Sequence, residues 1–460
     1  MQNIFLTRYS VKGIKALDQL ISLSFYKKTI SKDPDTRGYN VKGIYGMNGS
    51  GKSGIVTSVE ILRNLLTDPG YLNNPIAQKN LDAIINKGTH ALFIETNFIV
   101  NFAEPALLFQ YSVTLTKDLS GKYVISHEKL AFKKASANSD TMEPLFEVIN
   151  GEFTTILKEK EKAAMDFSST FISKTVNLLE TASACALFFE KFWLSTLQTL
   201  EASPSFLEIG LCLLYLFGNK IHVYLDQSDD HRTYVAQTSL KSFNDQENDK
   251  IEIDTLISSL QKMDNDSLNV FSVTDNPVSK AAFSDYEKNV SKLYEFLHIF
   301  KSNLLGIEID KRENRDFWVC NLIMVYDSYK IHAEYESTGI KKLIRLYAYL
   351  KDMVHGGIVF IDEFDSNLHD VYLCALLEYL MEYGEGQLCF TTHNVGPMDI
   401  LKRNKKSIDF LSENHQIYPW TTNGNYSPSK LYRNGMIEGS PFNVDAIDFI
   451  GIFGSDGEDE

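Results

Sequence analysis

A glycine-rich segment near the start of the chain has the residue types that bind phosphate groups. It matches the pattern G-x-x-x-x-G-K-[ST]. Glycines let consecutive backbone N–H groups point into a loop, and the lysine and hydroxyl residue that follow supply a cation and a magnesium ligand. We therefore expect this segment to bind ATP together with Mg²⁺. The residues expected to contact the nucleotide or its metal are Gly46, Asn48, Gly49, Ser50, Gly51, Lys52 and Ser53.

Two adjacent carboxylates, Asp362 and Glu363, follow an apolar run at residues 358–361. An acidic pair at the end of a strand is often an ordinary solvated turn. A magnesium-bound nucleotide, however, needs a carboxylate near the metal and a group that positions the attacking water. In a chain with a phosphate-binding loop, we expect Asp362 to organise the magnesium ion and Glu363 to polarise that water.

Two further motifs have both a structural and a functional interpretation. Ser337 and Gly339 open a predicted helix, where a serine commonly caps the first turn. The same hydroxyl and helix N-terminus could instead bind the γ-phosphate of a nucleotide held by another subunit. His393 follows a strand that ends at Thr391, and it could pack against its neighbours or contact the γ-phosphate and the catalytic water.

The order of these four elements resembles that of the ABC-type ATPases grouped with the OLD proteins, RecF and SMC. The resemblance is carried by residues 336–343, 360–369 and 391–394. It implies that Ser337 and Gly339 form the signature motif, that Asp365 is the D-loop residue and that His393 is the switch histidine. It also implies a head-to-tail dimer around ATP. Gly54 replaces the second hydroxyl residue common in transporter ATPases, so nucleotide affinity could differ.

The elements that must position these motifs predict a mixed α/β fold. Residues 41–45 predict a buried strand that runs into the phosphate loop, and residues 55–66 have apolar residues at helical spacing. Further strands are predicted at 93–100, 108–116, 122–125, 305–310, 318–326, 329–335, 358–361 and up to Thr391. Further helices are predicted at 158–167, 171–199, 205–217, 283–304 and 371–383.

The resemblance covers both ends of the chain and divides it into three parts. Residues 1–130 are expected to form the first half of an ABC-type P-loop ATPase head, and residues 286–460 the second half, with the signature, the Asp-Glu strand and the histidine. Residues 131–285 are expected to form a largely helical inserted lobe, which includes a polar linker at 227–249. The terminal residues 454–460 are polar and expected to fray.

Composition excludes some classes of protein. The chain has 60 acidic against 45 basic residues, for a net charge of −15, which argues against a general nucleic-acid coat protein. Its start lacks the pattern of a signal peptide, and its apolar runs are too short to span a bilayer. The five cysteines lie in apolar contexts without metal-binding spacing, which predicts reduced core thiols in a cytoplasmic protein: Cys185, Cys212, Cys320, Cys374 and Cys389.

The OLD nucleases carry a Toprim domain after the ATPase, with a D-x-D motif. Here only a short stretch follows His393, and Asp445 and Asp448 have the wrong spacing. We therefore expect slow or regulatory hydrolysis of ATP to ADP and phosphate that acts on a separate effector. Stand-alone ATPases of this type resemble subunits of bacterial anti-phage systems, PARIS with a Toprim nuclease or Septu with an HNH nuclease. The PARIS-like alternative is favoured, and it implies an oligomer that holds the effector until a phage-encoded trigger arrives.

Two other functions compete with this interpretation. A RecF-like or SMC-like ATPase would clamp DNA, and the basic residues at 402–406 could contact its phosphates. Such a cluster is more often a solvated face, and the acidic total and the lack of coiled-coil arms count against clamping. A transporter subunit would need a membrane partner and a compact ATPase, which the long separation of Lys52 from Asp362 disfavours. Salt-dependent DNA binding would favour the repair function.

Overall fold

A computed structural model describes most of the chain. The described residues are 4–32, 34–101, 105–137, 141–200, 205–225, 270–315, 317–421 and 426–440, with the backbone alone at 193–200. The predicted linker at 227–249, the aspartates at 445 and 448, and the terminal residues 454–460 lie outside these ranges.

Helices and strands alternate irregularly along the chain. The helices are α1 (Lys52–Thr67), α2 (Pro75–Ile84), α3 (Lys162–Thr175), α4 (Ala184–Leu200), α5 (Phe206–Lys220), α6 (Phe283–Phe300), α7 (Thr338–Val354), α8 (Asp370–Tyr383), α9 (Met398–Leu401) and α10 (Pro428–Arg433). The first eight strands are β1 (Ile4–Lys12), β2 (Ile21–Ser24), β3 (Val41–Gly46), β4 (Ala91–Val100), β5 (Leu107–Lys117), β6 (Tyr123–Lys134), β7 (Glu143–Ile149) and β8 (Glu152–Ile156). The remaining strands are β9 (Ile221–Tyr224), β10 (Asn276–Ser279), β11 (Gly306–Asn314), β12 (Phe317–Val325), β13 (Lys330–His332), β14 (Ile358–Ile361), β15 (Gln387–Thr391), β16 (Ile408–Leu411) and β17 (Ile417–Pro419).

A six-stranded sheet forms the centre of the fold. Its strand order is β17-β16-β3-β15-β14-β9, and every neighbouring pair is parallel except β17 with β16. Strands β3 and β14 are buried along their whole length, as the continuous apolar sequence of β14 predicts. The one charged residue of β3, Lys42, is buried beside Asp409 of β16, with Nζ 2.7 Å from Oδ2. The carboxyl ends of β3, β14 and β15 lie at one edge of the sheet, so the residues that follow them meet there.

Helix α1 lies between this parallel sheet and a second, antiparallel sheet. The second sheet has the order β2-β1-β4-β5-β6-β7-β8. Apolar residues of α1, among them Ile55 and Leu62, share one core cluster with Ile44 of β3 and Ile94 of β4. The helical spacing of these residues therefore buries α1 against both sheets and fixes the position of its first turn.

Helices α7 and α8 cover the other face of the parallel sheet. Leu346 of α7 and Leu373 of α8 pack in one cluster with Val359 and Ile361 of β14. A smaller sheet of β10, β12, β11 and β13 packs with α6 and with the first half of α7. The structure thus confirms the predicted mixed α/β fold of a P-loop ATPase head.

The interval 131–285 contains strands as well as the predicted helices. The division at residue 131 falls within β6, and β7 and β8 extend the antiparallel sheet beyond it. The helix predicted over 171–199 is interrupted between α3 and α4, because the hydroxyl of Ser183 accepts a hydrogen bond from Ala186 N (3.1 Å) and donates to Leu65 O of α1 (2.6 Å). Strand β9 then returns to the parallel sheet beside β14.

All five cysteines are free thiols, and four of them are buried in the core while Cys374 is partly exposed. Among the described residues, no helix is both long enough and apolar enough to cross a bilayer.

Candidate nucleotide-binding site

The phosphate loop joins β3 to α1 at the carboxyl edge of the parallel sheet. Gly49 (φ +79°) and Gly51 (φ +104°) adopt left-handed backbone conformations that side chains disfavour. A Cβ at Gly51 would also lie 2.5 Å from Leu17 Cδ2. Gly51 precedes α1, and no side chain caps the first turn of this helix. Gly54 N already donates to Gly51 O (2.9 Å), so the N–H groups of Lys52 and Ser53, at the very start of the helix, are the ones that can bind an anion.

Lys52 begins α1 and is almost fully buried. Its Nζ donates hydrogen bonds to Gly46 O (2.8 Å) and Met47 O (3.0 Å) of the loop. Burial lowers the pKa of Lys52 to about 8, and the nearby carboxylates of Asp362 and Glu363 oppose this shift. The ammonium thus lies inside the loop and close to the acidic pair, although the two motifs are far apart in the sequence.

The other loop residues differ in their exposure. Asn48 and Gly49 are exposed and Ser53 is partly exposed. Ser50 is 3 % exposed, and its buried Oγ has no hydrogen-bond partner among the described residues. A buried hydroxyl without a partner is costly, and a phosphate oxygen would satisfy it. The residues present therefore fit a nucleotide polyphosphate.

Asp362 follows β14 and is fixed by the neighbouring strand. Thr391 Oγ1, at the end of β15, donates a 2.5 Å hydrogen bond to Asp362 Oδ1. The backbone N–H of Asp362 donates to Tyr224 O of β9 (2.9 Å). Asp362 is 4 % exposed, so its carboxylate has a defined orientation at the edge of the sheet.

The oxygen atoms of the side chains near the phosphate loop suit a magnesium ion that is bound together with a nucleotide. Among the described residues, no group of three or more His, Cys, Asp or Glu side chains could hold a metal ion alone. Mg²⁺ typically uses one or two protein ligands together with substrate phosphates and water. Ser53 at the start of α1 and Asp362 at the end of β14 are the residues that would hold it, directly or through its waters.

Glu363 is exposed and has a left-handed backbone (φ +48°), which is unfavourable for a residue with a side chain. Its N–H donates a 2.8 Å hydrogen bond to the same Thr391 hydroxyl that contacts Asp362. This backbone conformation turns Glu363 away from the buried strand while Asp362 stays inside. The two carboxylates therefore have different environments, one buried and fixed and the other open to water.

Asp365 and His393 lie near the same cluster of charges. Burial lowers the pKa of His393, and so does the charge of Lys52, while Asp365 and Asp362 act in the opposite direction. The imidazole is therefore mainly neutral at pH 7. Asp365 is partly exposed, and its buried Oδ1 has no hydrogen-bond partner among the described residues. The carboxylate of Asp365 can therefore accept a further hydrogen bond, and the imidazole of His393 can donate one.

The Ser-x-Gly motif lies at the exposed start of α7. Ser337 is the N-cap, and its Oγ accepts a hydrogen bond from Ile340 N (3.4 Å). A Cβ at Gly339 would lie 2.4 Å from Asn367 O, so α7 approaches the turn after β14 too closely for any other residue. Among the described residues, no hydrogen bond joins Ser337 or Gly339 to the phosphate loop of the same chain.

Two contributors to the site are not evident from the sequence. Thr391 links both members of the acidic pair, and its only signal is a hydroxyl at the end of a buried strand. Tyr432, in α10, packs against the strand that leads into the phosphate loop, and its ring lies 6.2 Å from that of Tyr45. No local pattern indicates this contact, because it depends on the packing of the last described helix against β3.

The basic residues at 402–406 are largely matched by neighbours in the same chain. Lys402 Nζ lies 3.2 Å from a carboxylate oxygen of Asp399, and Arg403 Nη1 lies 2.9 Å from one of Glu378. Lys405 Nζ lies 5.9 Å from the centre of the Tyr39 ring. The cluster therefore behaves mainly as a paired, solvated surface.

The part of the chain that contains the acidic pair and the Ser-x-Gly motif is similar to a known protein family. Residues 227–399 match the family described as "AAA domain, putative AbiEii toxin, Type IV TA system". This segment contains Ser337, Asp362, Glu363 and His393 and follows the phosphate loop in the chain. No match was found among curated proteins.

Two similar solved structures are of the recombination mediator protein RecF in the RecFOR pathway, one with ATPrS and one with ATP. The first is 10% identical over 91% of this chain and 99% of that chain, with a TM-score of 0.37. The second is 11% identical over 91% of this chain and 100% of that chain, with a TM-score of 0.36. The family match over residues 227–399 and the phosphate loop at the end of β3 together support a P-loop ATPase of the AAA type.

Proposed function

We propose that this protein hydrolyses ATP in a head-to-tail dimer and thereby controls a separate effector in an anti-phage defence complex. One observation supports the proposed dimer. Lys52, Asp362 and Glu363 converge at one edge of the sheet, whereas the Ser-x-Gly helix start is exposed and, within the described part of the chain, makes no hydrogen bond to the phosphate loop. The two halves of a nucleotide site are thus both present, and a second copy would bring them together.

The chemistry follows from the environment of each group. The first turn of α1 and Lys52 would bind the phosphates, and Ser53 and Asp362 would hold a magnesium ion, whose charge would offset that of the transferred phosphoryl group. Glu363, being exposed, accepts a hydrogen bond from the attacking water. The mainly neutral imidazole of His393 can donate a hydrogen bond to the γ-phosphate without adding a charge. Ser337 and Gly339 of the second copy close the site through the N-terminus of α7.

The family match supports a defence setting. Its description names a putative toxin of a type IV toxin–antitoxin system. We propose a Toprim nuclease as the effector, as in PARIS-type systems, with an HNH nuclease of the Septu type as the next choice. A phage-encoded protein would be the trigger. The paired state of residues 402–406 gives a DNA clamp less support.

The dimer is tested with Glu363→Gln, which keeps the shape of the side chain but removes the acceptor charge. We expect this variant to bind ATP with magnesium, to hydrolyse it at least about tenfold more slowly, and to sediment as a dimer only with nucleotide. Lys52→Ala is the matched control that should stay monomeric. A Glu363→Gln variant that hydrolyses ATP at the wild-type rate, or that stays monomeric with ATP, would contradict the proposal.

The effector is tested separately by purifying the tagged chain together with its neighbouring reading frames. Co-purification of a Toprim or HNH nuclease that is released by phage infection would support the defence role. Tight, salt-dependent binding of the purified chain to DNA, without such a partner, would instead favour a RecF-like or SMC-like clamp.

A further inference from the structure

Lys342 is a buried lysine on α7, the same helix that begins at the Ser-x-Gly motif. It is 4 % exposed. Its ammonium donates hydrogen bonds to Glu363 O, to Ser366 O (3.1 Å) and to Ser366 Oγ. Burying a charged ammonium costs several kcal/mol unless its donors are satisfied. Here the partners that satisfy it belong to the turn that carries Glu363.

This turn is held from two sides. On one side the Thr391 hydroxyl accepts the hydrogen bond of Glu363 N (2.8 Å). On the other side Lys342 binds Glu363 O, which also accepts a hydrogen bond from Ser366 N (3.0 Å). Glu363 has an unfavourable left-handed conformation, and both its backbone N–H and its backbone C=O are therefore fixed by other elements. Strain of this kind persists only where its surroundings enforce it.

The same helix contacts the turn at a second point. Thr338 Oγ1 donates a 3.2 Å hydrogen bond to Asn367 Oδ1, and Gly339 approaches Asn367 O without room for a Cβ. The first turn of α7 and Lys342 thus hold the turn at positions 367 and 363–366. A shift of α7 would move the turn with it.

We propose that Lys342 is a positioning residue that couples α7 to Glu363. This inference rests on the proposed ATPase. In the dimer, the start of α7 contacts nucleotide on the second copy, while Glu363 acts on nucleotide in its own subunit. Lys342 transmits the position of the start of α7 to Glu363. Each subunit therefore aligns its own Glu363 when the start of its α7 closes the site of its partner.

The test uses the full chain with Lys342→Met, which keeps the length of the side chain and removes its donors. In the nucleotide-free protein, we expect faster hydrogen exchange at residues 363–368 and unchanged exchange in α1. With ATP and magnesium, we expect kcat to fall about tenfold or more while KM and the affinity for a fluorescent ATP analogue change less than about twofold. Lys342→Arg, which retains a cation, should recover part of kcat.

Lys341→Met is the matched control, since this neighbouring, partly exposed lysine donates only a 3.3 Å hydrogen bond to Glu334 O. It should behave as wild type. Ser366→Ala combined with Lys342→Met should slow the reaction no further than Lys342→Met alone, because both changes break the same contact.

Unchanged exchange at 363–368, or an unchanged kcat, in Lys342→Met would overturn the proposal. So would a loss of nucleotide affinity as large as the loss of kcat, or a general increase of exchange that Lys342→Arg does not reverse, since either would mean that Lys342 only supports folding. If the wild-type protein does not hydrolyse ATP, the proposed function fails, and the exchange measurement still tests the link between Lys342 and the turn.

Discussion

ATP affinity should fall as the pH rises above about 8, because Lys52 loses its charge there in the free protein. Burial lowers the pKa of Lys52 to about 8. Bound ATP would place several negative charges beside the ammonium and raise that pKa. Binding above pH 8 therefore requires the uptake of a proton, and affinity decreases in proportion to the charged fraction of the free protein.

The expected magnitude follows from the titration of one group. With a pKa of about 8, about three quarters of Lys52 is charged at pH 7.5 and about a tenth at pH 9. The dissociation constant should therefore rise roughly eightfold between these values. His393, whose pKa is lowered, is neutral throughout this range. Lys52 is thus the group that changes its charge in this site.

The assay is a fluorescence titration with an ATP analogue, with magnesium, at a series of pH values from 7.5 to 9.5. Lys52→Arg is the control, because a guanidinium stays charged over this range. Its affinity should not depend on pH, even if it is weaker overall. A flat profile for the wild-type protein would refute the reasoning, since the lysine would then either keep its charge in the free protein or take no part in binding.

Three other changes test the positions around the site and the core. Thr391→Val removes a hydrogen bond to a carboxylate, worth about 1.5–3 kcal/mol, so steady-state assays should show hydrolysis slowed about tenfold or more with nucleotide affinity retained. Gly51→Ala forces a Cβ to 2.5 Å from Leu17 at φ +104° and should weaken ATP binding at least about tenfold, whereas Gly54→Ala, with ordinary contacts at 3.6 Å, should bind ATP normally in the same titration. Glu128 is fully buried and its pKa is raised from 4.5 to about 7, mainly by burial; since the folded state holds the proton more tightly, the contribution of Glu128 to stability should be largest below about pH 4.5 and fall by about 3 kcal/mol as the pH rises to 7, so the difference in unfolding free energy between the wild type and Glu128→Gln should change with pH by about that amount.

Sequence patterns predicted the elements of the site better than the contacts between them. The apolar run of β14 and the mainly apolar sequence of β3, each buried on both faces, indicate parallel strands. Ligands of parallel sheets bind at the carboxyl ends of such strands, where the phosphate loop and the acidic pair lie. The spacing of the apolar residues in α1 likewise predicts a helix there. These are local signals, and each is complete within about a dozen residues.

The remaining features depend on tertiary packing. Thr391 contacts both members of the acidic pair only because β15 lies beside β14, and Tyr432 contacts Tyr45 only because α10 packs on β3. Lys342 has no local signal, since a lysine on a helix is normally exposed. The strands β7 and β8 were not predicted, because their short mixed sequences take their structure from pairing with β6.

The most direct test of a site completed between subunits is complementation by two inactive variants. Lys52→Ala removes the phosphate contact and Ser337→Arg blocks the exposed start of α7, so each variant alone should be inactive. In a head-to-tail dimer that contains one of each, one site combines both defects and the other is intact. An equal mixture should therefore recover up to about half of the wild-type rate, because neither variant closes a dimer with itself and each mixed dimer has one working site of two. A mixture as inactive as its components, or a Ser337→Arg variant that hydrolyses ATP normally, would contradict the account.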